Sequence, residues 1–261
     1  MKKKYYITTP IYYPSAKPHI GHAYSSISAD FIARYKRLEG FDVEFVTGTD
    51  EHGQKIQKSA KKKNLSPLDF CNKISKVFLD LGKILNLSNT DFIRTTENRH
   101  YKTVQKLWKI LEEKKFIYLS KYSGWYSISD EAFYSETEII DKENIKLCEA
   151  TGSTVEWVEE ESYFFKLSEF QDILIKHYED NPDFIQPTSR RNEVLSFVKD
   201  GLKDLSISRN SFKWGIAVPN SKDHIIYVWL DALANYLTAS NYDEENSFWP
   251  ADVHVIGKDI L

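Results

Sequence analysis

Two cysteines, one methionine and ten glycines in 261 residues leave several common chemistries without their parts. Cys71 and Cys148 are too few for a disulfide framework, which fits a reducing compartment such as the cytoplasm. Closed zinc sites draw on paired cysteines and histidines. Here Trp125-Tyr126-Ser127 and residues 148–152 (CEATG) each look like half a knuckle with ligands missing, so no metal ligands are expected. The glycines form neither a P-loop nor a G-x-G-x-x-G run, which disfavours a Walker-type ATPase and a dehydrogenase. Charge of one sign is lacking too: 35 basic against 38 acidic residues give a net -3, so composition offers no support for nucleic-acid binding, and DNA is not expected. An RNA partner would need a local basic patch, since phosphate neutralisation supplies most of the affinity. The run 58–63 (KSAKKK) is a candidate that reads equally as a solvated helix face. No apolar run approaches a membrane span. The basic start at residues 1–4 leads into threonines, tyrosines and two prolines, not a signal-peptide core, so neither a membrane nor export is expected.

What is present is 41% apolar residues, enough for a sizeable core in one or two domains. Residues 3–9 read as a strand, and Pro10, Pro14 and Pro18 keep the following segment extended. From 19 to 38, Ile20, Tyr24, Ile27, Phe31, Tyr35 and Leu38 recur at the spacing of an amphipathic helix, which Gly40 ends. Phe41, Val43 and Phe45 alternate with Asp42 and Glu44 in a second strand running to about Thr47. Ser66-Pro67 opens a helix with Leu68, Cys71, Ile74, Phe78, Leu81 and Leu85 on its buried stripe. A helix over 99–114 turns Tyr101, Val104, Leu107, Trp108 and Leu111 inward. Strand, helix, strand, helix at this spacing implies an α/β fold, a parallel sheet with crossover helices. Beyond about 116 the texture changes to short tyrosine-, serine- and glycine-rich alternations, an insertion of small antiparallel hairpins. Helical patterning returns near 168–178 and 191–205. Residues 225–229 and 253–256 read as buried strands that resume the sheet around a helix near 232–237.

Three constellations carry chemistry. In Pro18-His19-Ile20-Gly21-His22 two imidazoles flank a glycine where a helix presents its N–H groups, a place for phosphate. Gly21 lets a flat ligand lie against the backbone. The plainer reading is a loop whose histidines cap the helix. Residues 47–53 (TGTDEHG) follow the second strand; Asp50 there could hold a substrate ammonium, while Glu51 suits an acidic turn that caps the next helix. Both loops lie at carboxyl ends of parallel strands, where ligands of such sheets bind. In residues 227–236, Trp229, Ala232, Leu233 and Tyr236 share a helical face that is either plain core or the wall of a pocket for a flexible apolar side chain.

Together these segments resemble the class I aminoacyl-tRNA synthetases, and within them the methionyl-tRNA synthetases. His19-Ile20-Gly21-His22 matches the class signature; residues 8–13 (TTPIYY), 47–53, 159–167 (EEESYFFKL), 206–209 (SISR), 227–232 and 256–259 match the narrower family. The resemblance implies a Rossmann-like catalytic domain over 1–116 and 225–261, interrupted by a connective insertion over 117–224. It implies a ligase that activates methionine with ATP to methionyl-adenylate, releasing pyrophosphate with Mg2+ accompanying the nucleotide, and transfers the methionyl group to the 3′ end of tRNA(Met). His19, His22 and Arg209 would then support activation, with His19, Gly21, His22, Gly257 and Asp259 on ATP. Asp50 would take the substrate ammonium beside the Ile11 backbone, and Tyr13, Trp229, Ala232, Leu233 and Tyr236 would surround the thioether. Many relatives carry zinc in the insertion; Ser127 and the lone Cys148 imply none here. The second class signature and an anticodon-reading domain have no match, so the resemblance implies the amino-terminal part of a longer enzyme, weak in activity alone. A synthetase for another apolar amino acid, or a non-catalytic nucleotide- or RNA-binding module, are the competing expectations.

Overall fold

The computed structural model describes residues 2–130, 132–142, 145–257 and 260. Strand β1 (Lys4–Tyr12) alternates its side chains between two cores, as the pleat requires. Tyr5 and Ile7 face Ala29 and Ala33 of helix α1 (Ile20–Leu38) together with Val43 and Phe45 of β2 (Asp42–Thr49). Tyr6 faces the other way, with Val46. The chain continues through α2 (Gln54–Lys62) and α3 (Pro67–Ile84) to a third parallel strand, β3 (Asp91–Arg94), and then α4 (Asn98–Glu113). Gly48 lets β2 and β3 meet, because a Cβ at that position would lie 2.0 Å from the Ile93 carbonyl oxygen. Ser66 caps α3 through the Asp69 N–H with Pro67 at the first position, as the sequence predicts.

Helix α1 lies where it is expected but turns the opposite face to the sheet. Its large apolar residues are exposed, Ile20 by 84%, Phe31 by 72% and Leu38 by 88%. Ala23, Ser26, Ala29, Asp30 and Ala33 go inward instead. Small side chains permit close approach of helix and sheet, and Asp30 is tolerated because its carboxylate is satisfied. It accepts hydrogen bonds from the Ser88 N–H and hydroxyl and from Arg34. Likewise Leu68 of α3 is exposed, while Phe70, Cys71, Ser75 and Phe78 are buried.

The texture change after 116 marks a second, antiparallel sheet. Strand β4 (Ile117–Ser127) pairs with β5 (Ala132–Tyr134) and, past a separate hairpin of β6 (Ile139–Lys142) and β7 (Ile145–Cys148), with β8 (Glu156–Phe165). Helices α5 (Gln171–Asp180) and α6 (Thr188–Lys199) follow, α6 ending before Gly201 at φ +109. Strand β9 (Leu205–Ser206) adds to β8. Residues 225–229 do not rejoin the parallel sheet: only Ile225–Ile226 is strand, β11, paired antiparallel with β10 (Ser208–Arg209). Tyr227 is already the N-cap of α7 (Val228–Ala239), which covers the second core through Ala239. Strand β12 (Val253–His254) does rejoin, parallel beside β1, and is half-open because it is an edge. The parallel sheet thus runs β12-β1-β2-β3 with helices on both faces, a Rossmann-like arrangement. Among the described residues no helix is long and apolar enough to cross a membrane.

Candidate active site

The carboxyl ends of β1 and β2 end side by side, Ile11 opposite Gly48 and Tyr12 opposite Thr49. The Asp50 N–H donates to the Tyr12 carbonyl at 2.9 Å, so the two loops leave the sheet tied together. Between them and α7 lies a cavity of about 300 Å³. Ile11, Tyr13, Asp50, Trp229, Ala232, Leu233 and Tyr236 all line it, together with Val228 and Lys55. Ser129 and Asp130 reach in from the insertion, and Ile260 from beyond β12. Residues predicted from three separate segments therefore share one space, and the α7 face is a wall and not plain core. The Tyr236 phenol is pushed up to about 12, above all by burial, with the Asp50 charge adding to it; it is a neutral hydroxyl at physiological pH.

Beside the cavity, Glu51 does not cap α2, whose start at Gly53 has no side-chain cap. It is fully buried in a bidentate pair with Arg94, 2.7 and 2.9 Å, and also accepts from Thr49 and Thr96. Its backbone carbonyl takes the Trp214 indole N–H at 2.6 Å. These contacts hold the loop carrying Asp50 from behind. Cys71 lies against the same turn with its thiol pushed up to about 12, chiefly by burial, and is inert as a nucleophile.

At the start of α1 the two histidines form a reciprocal cap. His19 Nδ1 accepts the Gly21 N–H at 3.1 Å, and His22 Nδ1 accepts the His19 N–H at 3.0 Å. The expected free N–H of Gly21 is therefore taken, as is that of His22, which donates to the His19 carbonyl. What the helix start offers an anion is instead the far edge of each ring: a neutral imidazole accepting at Nδ1 carries its proton on Nε2. The capping reading thus holds for both histidines. His22 also packs edge-on against Tyr12, centroids 4.8 Å apart, and against Phe78. Tyr12 consequently links the helix start, through its ring, to Asp50, through its backbone.

Besides His19, Gly21 and His22, the predicted residues Arg209 and Gly257 do not line the cavity. Arg209 is buried on β10, bonded to the Ser206 hydroxyl and the Ser208 carbonyl, with its guanidinium 3.9 Å from the Tyr227 ring centroid. Gly257 is exposed with open space around it. Asp259 lies outside the described residues. Of the half-knuckles, Asp130 accepts hydrogen bonds from Tyr134, Thr151 and Ser153 at 2.7–2.8 Å, and its N–H donates to Ser127. This is a hydrogen-bonded knot of hydroxyls about one carboxylate, and it does not fit a zinc ion. Among the described residues no group of three or more His, Cys, Asp or Glu side chains could hold a metal ion.

Comparison with known proteins bears on this geometry. The family model described as tRNA synthetases class I (M) matches residues 5–261. A methionine–tRNA ligase of Rickettsia conorii is 57% identical over the whole chain, and one of Bacillus subtilis is 51% identical over 98% of it. The chain spans 51% and 41% of those two relatives, about half their length. Among solved structures, a Mycobacterium tuberculosis methionyl-tRNA synthetase in complex with methionyl-adenylate superimposes with a TM-score of 0.96 at 50% identity, covering 99% of this chain and 52% of that one. With the parallel sheet, the paired histidines at its carboxyl edge and these matches, the chain belongs to the class I (M) tRNA synthetases.

Proposed function

We propose that this crevice activates methionine with ATP, and that the chain carries the catalytic part of a methionine–tRNA ligase working in protein synthesis. The observation that carries the reading is the cavity in which Asp50 faces Trp229, Ala232, Leu233 and Tyr236. The Asp50 carboxylate pairs with the substrate ammonium beside the Ile11 backbone, a charge-assisted contact. The aromatic rings of Tyr13, Trp229 and Tyr236 flank the thioether, each sulfur–aromatic contact adding about 0.3–1.5 kcal/mol. A long unbranched side chain suits this shape better than a β-branched one.

Held that way, the substrate carboxylate is directed past Tyr12 toward the start of α1. ATP, bound as its magnesium complex, places its phosphates against the Nε2–H edges of His19 and His22, over the side-chain-free Gly21, with Gly257 and Asp259 toward the ribose. A carboxylate oxygen attacks the α-phosphorus, the bond to the bridging oxygen breaks, and magnesium pyrophosphate leaves. No base is needed, because the attacking carboxylate has no proton to lose. The two imidazoles stabilise charge that grows on the phosphate oxygens. A ribose hydroxyl of the 3′-terminal adenosine of tRNA(Met) then takes the methionyl group, releasing its proton as AMP departs. Arg209, stacked on Tyr227 at the N-cap of α7, supports the wall from the insertion side. In this reading residues 1–116 and 225–261 form the catalytic domain around a connective insertion over 117–224, and the enzyme works in the cytoplasm, which suits its two buried free cysteines.

Calorimetric titration with methionine, leucine and valine tests the reading. Methionine is expected to bind at least about tenfold more tightly than either competitor, and Asp50→Ala to abolish binding. Equal binding of the three would overturn it.

A further inference from the structure

A second cluster lies behind the cavity and takes no part in the steps above. Asp231 is fully buried on the side of α7 away from the cavity lining. Its Oδ2 accepts from His52 Nδ1 at 2.6 Å and its Oδ1 from His100 Nε2 at 2.7 Å. Both rings are buried as well. The Tyr101 hydroxyl closes the far side of His52 at 3.1 Å, and the Thr238 hydroxyl that of His100 at 2.9 Å. Burial alone would push the Asp231 carboxyl up; the His52 and His100 rings overcome it and hold the group below the usual carboxylate value.

The position of this cluster is what gives it a role. His52 lies two residues after Asp50, and its carbonyl accepts the Tyr13 hydroxyl at 3.2 Å, so it anchors one wall of the cavity. Asp231 lies between Trp229 and Ala232, so it anchors the other. The His52–Asp231 contact joins residues 179 positions apart and ties the loop carrying Asp50 to α7 behind the cavity. His100, from α4, braces Asp231 and the Thr238 hydroxyl, both on α7.

We propose that Asp231 and His52 are positioning residues, a buried clamp that sets the width of the amino-acid cavity and with it the choice of side chain. The inference rests on the reading that this cavity takes methionine. A clamp between two walls controls the gap between them, whereas a brace on one wall controls only its stability. The two contacts to one carboxylate therefore have separable consequences.

Calorimetric titration of the chain with methionine and with ethionine, one methylene longer, separates them. The wild type is expected to prefer methionine by roughly tenfold. His52→Ala removes the clamp and is expected to weaken methionine at least about tenfold while erasing the preference. His52→Asn, which returns a donor near the former Nδ1, is expected to restore most of both. His100→Ala is expected to lower the melting temperature yet keep the preference. If His52→Ala does not fold, Asp231→Asn, of equal volume, carries the same expectation as His52→Ala. A preference unchanged in His52→Ala or Asp231→Asn, or lost equally in His100→Ala, overturns the clamp. A wild type that binds no methionine overturns the proposed function itself, and the clamp falls with it.

Discussion

The His19 and His22 rings lie 4.0 Å apart, and each accepts a backbone N–H at Nδ1 from the same helix start. Because that acceptance fixes the proton on Nε2, the local folding of α1 also sets the donor that each ring offers outward. Gly21 is part of the arrangement, since a Cβ there would lie 2.9 Å from His19 Cε1 and 3.1 Å from its Nδ1. Gly21→Ala is expected to displace the His19 ring, with loss of a cap of about 1 kcal/mol and weaker binding of a non-hydrolysable ATP analogue. Thermal melting and calorimetry of that variant check both effects. An unchanged affinity for the analogue would show that the ring orientation is immaterial.

Partial burial, and secondly the neighbouring His19, hold the His22 ring below the ordinary histidine value of 6.5. Folding thus favours its neutral form. The stability this contributes is complete above about pH 6.5 and is lost as pH falls through the lower folded value. Melting temperatures measured from about pH 8 down to about pH 5 are expected to fall more steeply in the wild type than in His22→Asn, which keeps an acceptor and cannot titrate. Parallel profiles would contradict the shift.

Glu51 is fully buried and pairs with a partly exposed Arg94, so removing the arginine leaves a buried carboxylate uncompensated. Arg94→Ala is expected to cost about 3–5 kcal/mol in chemical denaturation, Glu51→Gln less, and the double variant much less than the sum. Methionine affinity should drop with it, because the same turn carries Asp50. Full additivity would place the two side chains in independent roles.

How far the sequence foretells this molecule depends on how local each signal is. Strands β1 and β2 and the loops at their carboxyl ends are legible because alternation and proline spacing are local, and the parallel topology then brings Asp50, Ile11 and Tyr13 to one edge. Trp229, Ala232, Leu233 and Tyr236 are legible as a helical face. The orientation of α1 is not, since hydrophobic periodicity has no means of preferring Asp30 and three alanines to Phe31 as the inward face. Strand β3, four residues with a charge at each end, is too short for alternation to register. Ser129 and Asp130 enter the cavity from the hairpin insertion, and the Asp231 carboxylate meets imidazoles 179 and 131 positions away. No local pattern encodes such contacts.

In the proposed function one crevice grips two ends of an aminoacyl adenylate, the amino acid by Asp50 and the phosphate by the paired histidines. Calorimetry of a non-hydrolysable methionyl-adenylate analogue against methionine alone tests it most directly. Asp50→Ala is predicted to weaken both ligands, whereas His22→Ala weakens the analogue by at least about tenfold and leaves methionine unaffected. An analogue that binds no more tightly than methionine, or that is indifferent to His22→Ala, would contradict the account.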